Sequence, residues 1–227
     1  MSIALSIEEV YQAISKAAEA YDRSPDTIQL LAVSKNQSID AIKSAYDAGI
    51  RDFGENYLQE ALPKIQALAS FNIQWHFIGQ IQSNKAHSIA EHFDWVHSVC
   101  RLSVAEALNK ARAPHLTPLN VCIQINLDKE NTKAGLSPAE APALVANILR
   151  LPHLNLRGLM IIPKRENNEL QQYERFLCLH HLLQSLNQEF EMNMDTLSMG
   201  MSTDFRAAIR AGSTIVRIGQ AIFGKRQ

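Results

Sequence analysis

Eight short apolar runs, with stretches of helical spacing between them, repeat along this chain of 227 residues. The runs lie at 28–34, 51–54, 73–78, 94–99, 119–126, 154–162, 196–199 and 214–218. Helices are predicted between them at 38–48, 56–68, from 83 onward, 103–113, 137–150, 168–190 and from about 203. Most of the runs are continuous rather than alternating, as strands covered on both faces read. A count of eight strands favours a closed barrel over an open doubly wound sheet. Ahead of them, Ile7, Val10, Tyr11, Ile14, Ala17, Ala18 and Tyr21 fall at helical spacing, with Ser6 as the expected cap and Ser24-Pro25-Asp26 as the stop. The predicted fold is therefore α/β: a single (β/α)8 TIM-like barrel with an extra N-terminal helix, taking residues 1–227 as one domain. No Gly- or Pro-rich linker or low-complexity segment argues for a second domain.

Bulk properties narrow the function classes. A formal charge of −1 and a pI near 6.7 argue against nucleic acid or membrane surface as partner. The Lys225-Arg226 pair reads as a solvated tail. Cys100, Cys122 and Cys178 are odd in number and lack paired spacing, so they read as buried thiols in a reducing compartment. No signal-like N-terminus or bilayer-length apolar stretch is evident, and a cytoplasmic protein is expected. His87, His92, His180 and His181 show no ligand spacing, so no metal site is expected.

The chemistry gathers at the ends of the outermost runs. The seventh and eighth runs close in small-residue turns, at Gly200-Met201-Ser202 and at Gly219. In a (β/α)8 barrel, these two turns commonly cradle a phosphate. Backbone N–H groups near Ser202 and Gly219 are the expected anchors, and Asp204 is expected to point away, toward solvent or a helix cap. The first run ends at Lys35. Beside a phosphate cradle, a strand-end lysine suggests a phosphorylated aldehyde held as a Schiff base; alone, it reads as a surface lysine. Arg217 and Gly219 share one side of the eighth strand by period-two alternation. A barrel-strand arginine needs a buried partner, either a carboxylate or a pyridine nitrogen that it would keep unprotonated. His76 reads as a hydrogen-bonded core histidine.

A set of segments spread along nearly the whole chain resembles one known family. The segments are Leu31-Ala32-Val33-Ser34-Lys35, Phe53-Gly54-Glu55-Asn56-Tyr57, Trp75-His76-Phe77-Ile78-Gly79, Gln82-Ser83-Asn84-Lys85, Gly158-Leu159-Met160, Leu197-Ser198-Met199-Gly200-Met201-Ser202, and the stretch from Gly212-Ser213-Thr214 to Gly224. Together they are similar to the pyridoxal 5′-phosphate homeostasis proteins. The resemblance implies a fold like the barrel domain of alanine racemase, with pyridoxal 5′-phosphate as cofactor. It implies Lys35 as the Schiff-base lysine, Arg217 at the pyridine nitrogen, the phosphate around Ser202 and Gly219, Asn56 beside the ring, and Met160 among the cofactor-binding residues. The implied role is to carry and buffer the cofactor inside the cell, as a monomer, for delivery to pyridoxal-phosphate-dependent apoenzymes. No catalytic turnover is implied.

The segment after the lysine, Asn36-Gln37-Ser38, lacks the second lysine and the proline of some relatives, and the tail after Gly224 is short. Two enzyme readings compete. An amino-acid racemase needs a second acid/base on the other face of the cofactor, from a further domain for which this sequence leaves no residues. A Schiff-base aldolase explains Lys35 and the turns but not Arg217.

Overall fold

The computed structural model describes residues 2–127, 134–164 and 166–224; Lys225-Arg226 lies outside them. The elements run α1 (Ile3–Glu19), β1 (Gln29–Val33), α2 (Ile39–Asp47), β2 (Asp52–Glu55), α3 (Leu58–Ala67), β3 (Gln74–Phe77), α4 (Ala86–His92), β4 (Trp95–Val99) and α5 (Leu102–Ala111). They continue with β5 (Leu119–Ile125), α6 (Ala141–Ile148), β6 (Leu154–Ile161), α7 (Glu169–Glu189), β7 (Thr196–Ser198), α8 (Phe205–Arg210), β8 (Ile215–Ile218) and α9 (Gln220–Phe223). The eight strands close into a barrel in sequence order. Every neighbouring pair is parallel, and β8 returns to β1 with Leu31 opposite Arg217 and Ala32 opposite Ile218. The (β/α)8 expectation holds, and each strand falls within about two residues of its apolar run.

Helix starts depart from the sequence reading in instructive ways. α1 begins at Ile3, where the Ser2 hydroxyl accepts the Leu5 N–H at 3.3 Å. Ser6, expected as the cap, is instead buried inside the helix, because the apolar stripe that packs inward extends one turn earlier, to Ile3. The helix also stops at Glu19, before Asp22 turns with φ of 54°, and Pro25 opens a separate short 3-10 turn. α3 begins at Leu58 rather than Asn56, so Asn56 stays in the loop. The thiols divide as well. Cys122 is buried, but Cys100 is only half-buried and Cys178 is exposed on α7, against the expectation of three buried cysteines.

The apolar residues sort into an outer shell and two small interior layers. The outward side chains of the strands, among them Leu30, Ala32, Phe53, Trp75, Phe77 and Val96, pack against the inner stripes of the helices in one large cluster. Each of the larger aliphatic and phenyl side chains contributes about 1.5–3 kcal/mol by leaving water. Inside the barrel, Leu31, Val33, Ile78 and Ile215 form one layer, and Trp95, Cys122 and Met160 form another. Other inward positions carry polar side chains, among them Asp52, His76, His97, Ser198 and Arg217. Among the described residues, no helix is long and apolar enough to cross a membrane and no cluster suits a metal ion.

Candidate functional site

β1 delivers Lys35 to the carboxyl end of the barrel, one residue past Ser34. The backbone there is held from beneath. Lys64 of α3 reaches in and donates to the Ser34 carbonyl oxygen at 2.9 Å, to Glu55 Oε1 at 2.9 Å and to Glu60 Oε1 at 2.6 Å. The Ser34 hydroxyl donates to the same Glu55 oxygen at 2.6 Å. Glu55 is fully buried, and burial pushes its carboxyl above the ordinary value, against the Ser34 hydroxyl and Lys64, which pull it down. Glu60 also accepts the Asn36 N–H, pinning the turn that carries Lys35. An ammonium and two carboxylates thus fix the exit of β1.

Arg217 projects into the barrel from β8, as alternation predicts. Its Nη1 donates to the Ser198 carbonyl at 2.5 Å and the Ser198 hydroxyl at 2.8 Å, and its Nη2 donates to the Ile161 carbonyl at 2.7 Å. Its buried partners are therefore a carbonyl pair and a hydroxyl rather than a carboxylate. Burial lowers its pKa to about 10, opposed by Asp204 and Cys122, so it stays cationic at neutral pH. Among the described residues, these bonds engage three of its five N–H groups and leave the Nε–H and one Nη2–H for a ligand.

Asn56 follows β2 at the same end. Its buried Oδ1 has no hydrogen-bond partner. A buried amide oxygen without a donor costs about 1–3 kcal/mol unless something supplies one. Gly79, just past β3, packs against Asn56. A Cβ on it would lie 1.9 Å from the Asn56 carbonyl oxygen, so only glycine admits the approach that seats Asn56.

The turns expected to hold phosphate have a different local architecture from the one predicted. α8 begins at Phe205, not near 203, and the intervening residues form a turn. Asp204 is half-buried at the N-cap position of α8, and its Oδ1 accepts the Met201 N–H at 2.6 Å instead of an N–H of the helix. Burial pushes the Asp204 carboxyl up, while the Met201 N–H and Arg217 pull it down. Among the described residues, the N–H groups of Ser202 and Thr203 make no backbone hydrogen bond. Gly219 has φ of −120°, which any residue adopts. What favours glycine there is proximity, since a Cβ would lie 3.0 Å from the Val33 carbonyl oxygen at the end of β1, a tight contact.

Lys35, Asn56, Ser202, Arg217 and Gly219 thus all sit on or beyond the carboxyl ends of β1, β2, β7 and β8, four strands that are contiguous around the barrel. Met160 is fully buried in the interior layer with Trp95, the first residue of β4, and Cys122. His76 is the hydrogen-bonded core histidine expected, contacting His97 Nε2 at 2.9 Å and Asp52 Oδ1 at 3.0 Å. Sequence reasoning missed His97, Asp52, Ser198, Glu55 and Lys64 as parts of the interior. For His97 a signal was present, since it stands two residues after Trp95 in a run covered on both faces. Lys64 gave none, being one helix lysine among several.

Comparison with known proteins agrees with this geometry. The family model described as "Alanine racemase, N-terminal domain" matches residues 10–227. A pyridoxal phosphate homeostasis protein of Pseudomonas aeruginosa is 51% identical over 225 residues, covering 99% of this chain and 96% of that one. Its namesake in Escherichia coli is 49% identical over 227 residues, covering 99% and 97%. Among solved structures, PipY of Synechococcus elongatus with PLP bound superposes with a TM-score of 0.83 at 36% identity, covering 93% of this chain and 100% of that one. An alanine racemase of Clostridium difficile superposes with a TM-score of 0.75 at 14% identity over 99% of this chain and 57% of the racemase, a likeness of fold alone. With half its residues shared over nearly full length, this chain belongs to the family of pyridoxal phosphate homeostasis proteins.

Proposed function

We propose that this protein binds pyridoxal 5′-phosphate at the carboxyl-terminal mouth of the barrel and serves intracellular homeostasis of that cofactor without turning over a substrate. The observation that carries the reading is Arg217. It is a buried guanidinium with two N–H groups left over, on the strand paired with the one whose exit presents Lys35. The orphaned Asn56 oxygen at the same mouth fits a ligand with a donor of its own. The bound cofactor supplies an aldehyde that condenses with a lysine amine. Lys35 would hold it covalently, Asn56 and Arg217 would orient the ring, and Met160 would close the interior beneath it. The N–H groups around Ser202 and Gly219 would bind the phosphate. A permanently cationic arginine keeps the ring nitrogen unprotonated and the ring a weak electron sink, which suits holding the cofactor rather than transforming amino acids with it. The names of the relatives and the PLP-bound PipY structure support the same reading.

In this reading residues 1–227 work as one cytoplasmic, monomeric unit that passes cofactor to pyridoxal-phosphate-dependent apoenzymes. The test is purification without added cofactor, a visible spectrum, borohydride reduction and peptide mapping. The adduct should map to Lys35 and vanish in Lys35→Ala. An adduct at Lys85 or at Lys133, which lies outside the described residues, would overturn the lysine assignment. A colourless protein that takes up no added cofactor would overturn the whole reading. Size-exclusion chromatography and reactivation of a purified apoenzyme test the monomer and the delivery role.

A further inference from the structure

Five side chains inside the barrel form an unbroken hydrogen-bonded file from β8 to β2. Arg217 Nη1 donates to Ser198 Oγ at 2.8 Å, and Ser198 Oγ lies 2.8 Å from His97 Nδ1. His97 Nε2 lies 2.9 Å from His76 Nδ1, and His76 Nε2 lies 3.0 Å from Asp52 Oδ1. Ser198, His97, His76 and Arg217 are buried, while Asp52, at the start of β2, keeps 18% of its side chain exposed. The file therefore joins the mouth of the barrel to its amino-terminal end.

Counting protons gives the file a direction. A guanidinium only donates, so Ser198 Oγ accepts from it; among the described residues the other polar atom bonded to that hydroxyl is His97 Nδ1, and the Ser198 proton is assigned there. Burial above all holds the His97 imidazole well below its ordinary pKa, so His97 is neutral; with Nδ1 accepting from Ser198, its proton is on Nε2. That proton points at His76 Nδ1, which leaves the His76 proton on Nε2 for the Asp52 carboxylate. Working from Asp52 inward gives the same assignment. With one proton on each imidazole, it is the arrangement that puts one donor and one acceptor at every contact.

We propose that Asp52 is the remote counter-ion of Arg217, joined to it through His76, His97 and Ser198 by one-way hydrogen bonds that fix the guanidinium's position and balance its charge at the cofactor ring. The second half of this statement rests on the proposed pairing of Arg217 with the ring; the first half does not. A buried cation needs compensation, and no carboxylate touches this one among the described residues. Asp204 acts on it from the neighbouring turn, and the buried Cys122 thiol, pushed up to about 12, stays neutral. A relayed carboxylate supplies charge balance while leaving two of the guanidinium's N–H groups unengaged among the described residues. A carboxylate in direct contact would occupy them. Asp52, His76, His97 and Ser198 are thus positioning residues that act on the ligand through Arg217.

The full-length protein, labelled with 15N-histidine and freed of cofactor, tests the file without any substitution. His76 and His97 should each show a pyrrole-like Nε2 and a pyridine-like Nδ1 at neutral pH. A proton on His97 Nδ1, or a charged His97, overturns the proposal. Asp52→Asn keeps an acceptor oxygen and the fold but removes the charge. It should move the His97 Nε2–H signal toward a weaker hydrogen bond, shift the visible band of the bound cofactor, and raise the apparent dissociation constant of pyridoxal 5′-phosphate roughly two- to thirtyfold. Ser198→Ala, which cuts the file at its other end, should loosen the cofactor to a similar extent. Histidine signals that stay in place in Asp52→Asn, or an unchanged dissociation constant, overturn the coupling. If the native protein takes up no cofactor while its histidines carry the expected tautomers, the ring pairing fails and the charge file stands.

Discussion

Replacing Lys64 with methionine keeps most of the volume of the side chain and removes its charge. The ammonium lies between Glu55 and Glu60, with side-chain exposures of 7% for Lys64, 0% for Glu55 and 26% for Glu60. Glu60 can turn to water, but Glu55 cannot, and one of its oxygens already lacks a partner. Breaking a buried pair from one side costs about 3–5 kcal/mol, because an uncompensated charge is left behind. For a chain of this size that corresponds to a fall in Tm of roughly 6–20 °C, at about 2–4 °C per kcal/mol. The loss has a definite pH dependence. With Lys64 gone, burial dominates and the folded-state pKa of Glu55 rises further above its unfolded value. The folded protein then holds a proton that the unfolded chain releases, so stability falls as pH rises from the ordinary carboxyl range through the raised folded value. The penalty against the native protein is therefore largest in alkali and shrinks toward acid. Urea titrations followed by circular dichroism at several pH values measure it. Adding Glu55→Gln to Lys64→Met should restore most of the loss. A single-variant penalty under about 1 kcal/mol at pH 8, or one that grows on acidification, would refute the account of this cluster. Because Lys64 also holds the Ser34 carbonyl, borohydride labelling of Lys35 should fall in the same variant.

Three further substitutions separate neighbouring roles. Ser202→Ala should weaken cofactor retention by roughly 1.5–3 kcal/mol, one hydrogen bond to a charged group, as read by equilibrium dialysis; full retention would place the phosphate elsewhere. Gly219→Val should lower Tm even in cofactor-free protein, since its side chain meets the Val33 carbonyl before any ligand is involved, and an unchanged melting curve would contradict that contact. Gly79→Ala forces a Cβ against the Asn56 backbone and should cost more than the 1–3 kcal/mol or so of ordinary overpacking, with soluble yield and chemical denaturation as the measures.

The barrel was legible because its main signal is local. Eight apolar runs at regular spacing survive any error of a residue or two at their ends, and α1 announced itself by its stripe. Helix starts were less legible because two serines, Ser2 and Ser6, both suit a cap, and the choice between them depends on what the first turn packs against. The same holds for the turn after β7. Ser202-Thr203-Asp204 resembles a helix start, yet the Asp204 carboxylate bonds the Met201 N–H and delays the helix to Phe205. The site residues Lys35 and Arg217 stand at strand ends, where position alone gives direction. Lys64 reaches β1 from a helix 30 residues on, a separation that no periodicity records.

One feature of the sequence pattern takes its meaning only from the closed barrel. Continuous apolar runs imply strands buried on both faces, and all eight strands are covered. The two faces differ in kind, however. The outward face packs into the large shell under the helices, while the inward face alternates small apolar layers with Asp52, His76, His97, Ser198 and Arg217. An interior built wholly of branched aliphatics would be the safer core, because every buried polar group needs its partner. Here the partners are supplied one after another across strands far apart in sequence. His97 reaches Ser198 across 101 residues, and Arg217 reaches the Ile161 carbonyl across 56. Such a file can form only after β2, β3, β4, β7 and β8 have closed around it. Its hydrogen bonds therefore report barrel closure, and they hold the one buried guanidinium of that file at the mouth with donors to spare.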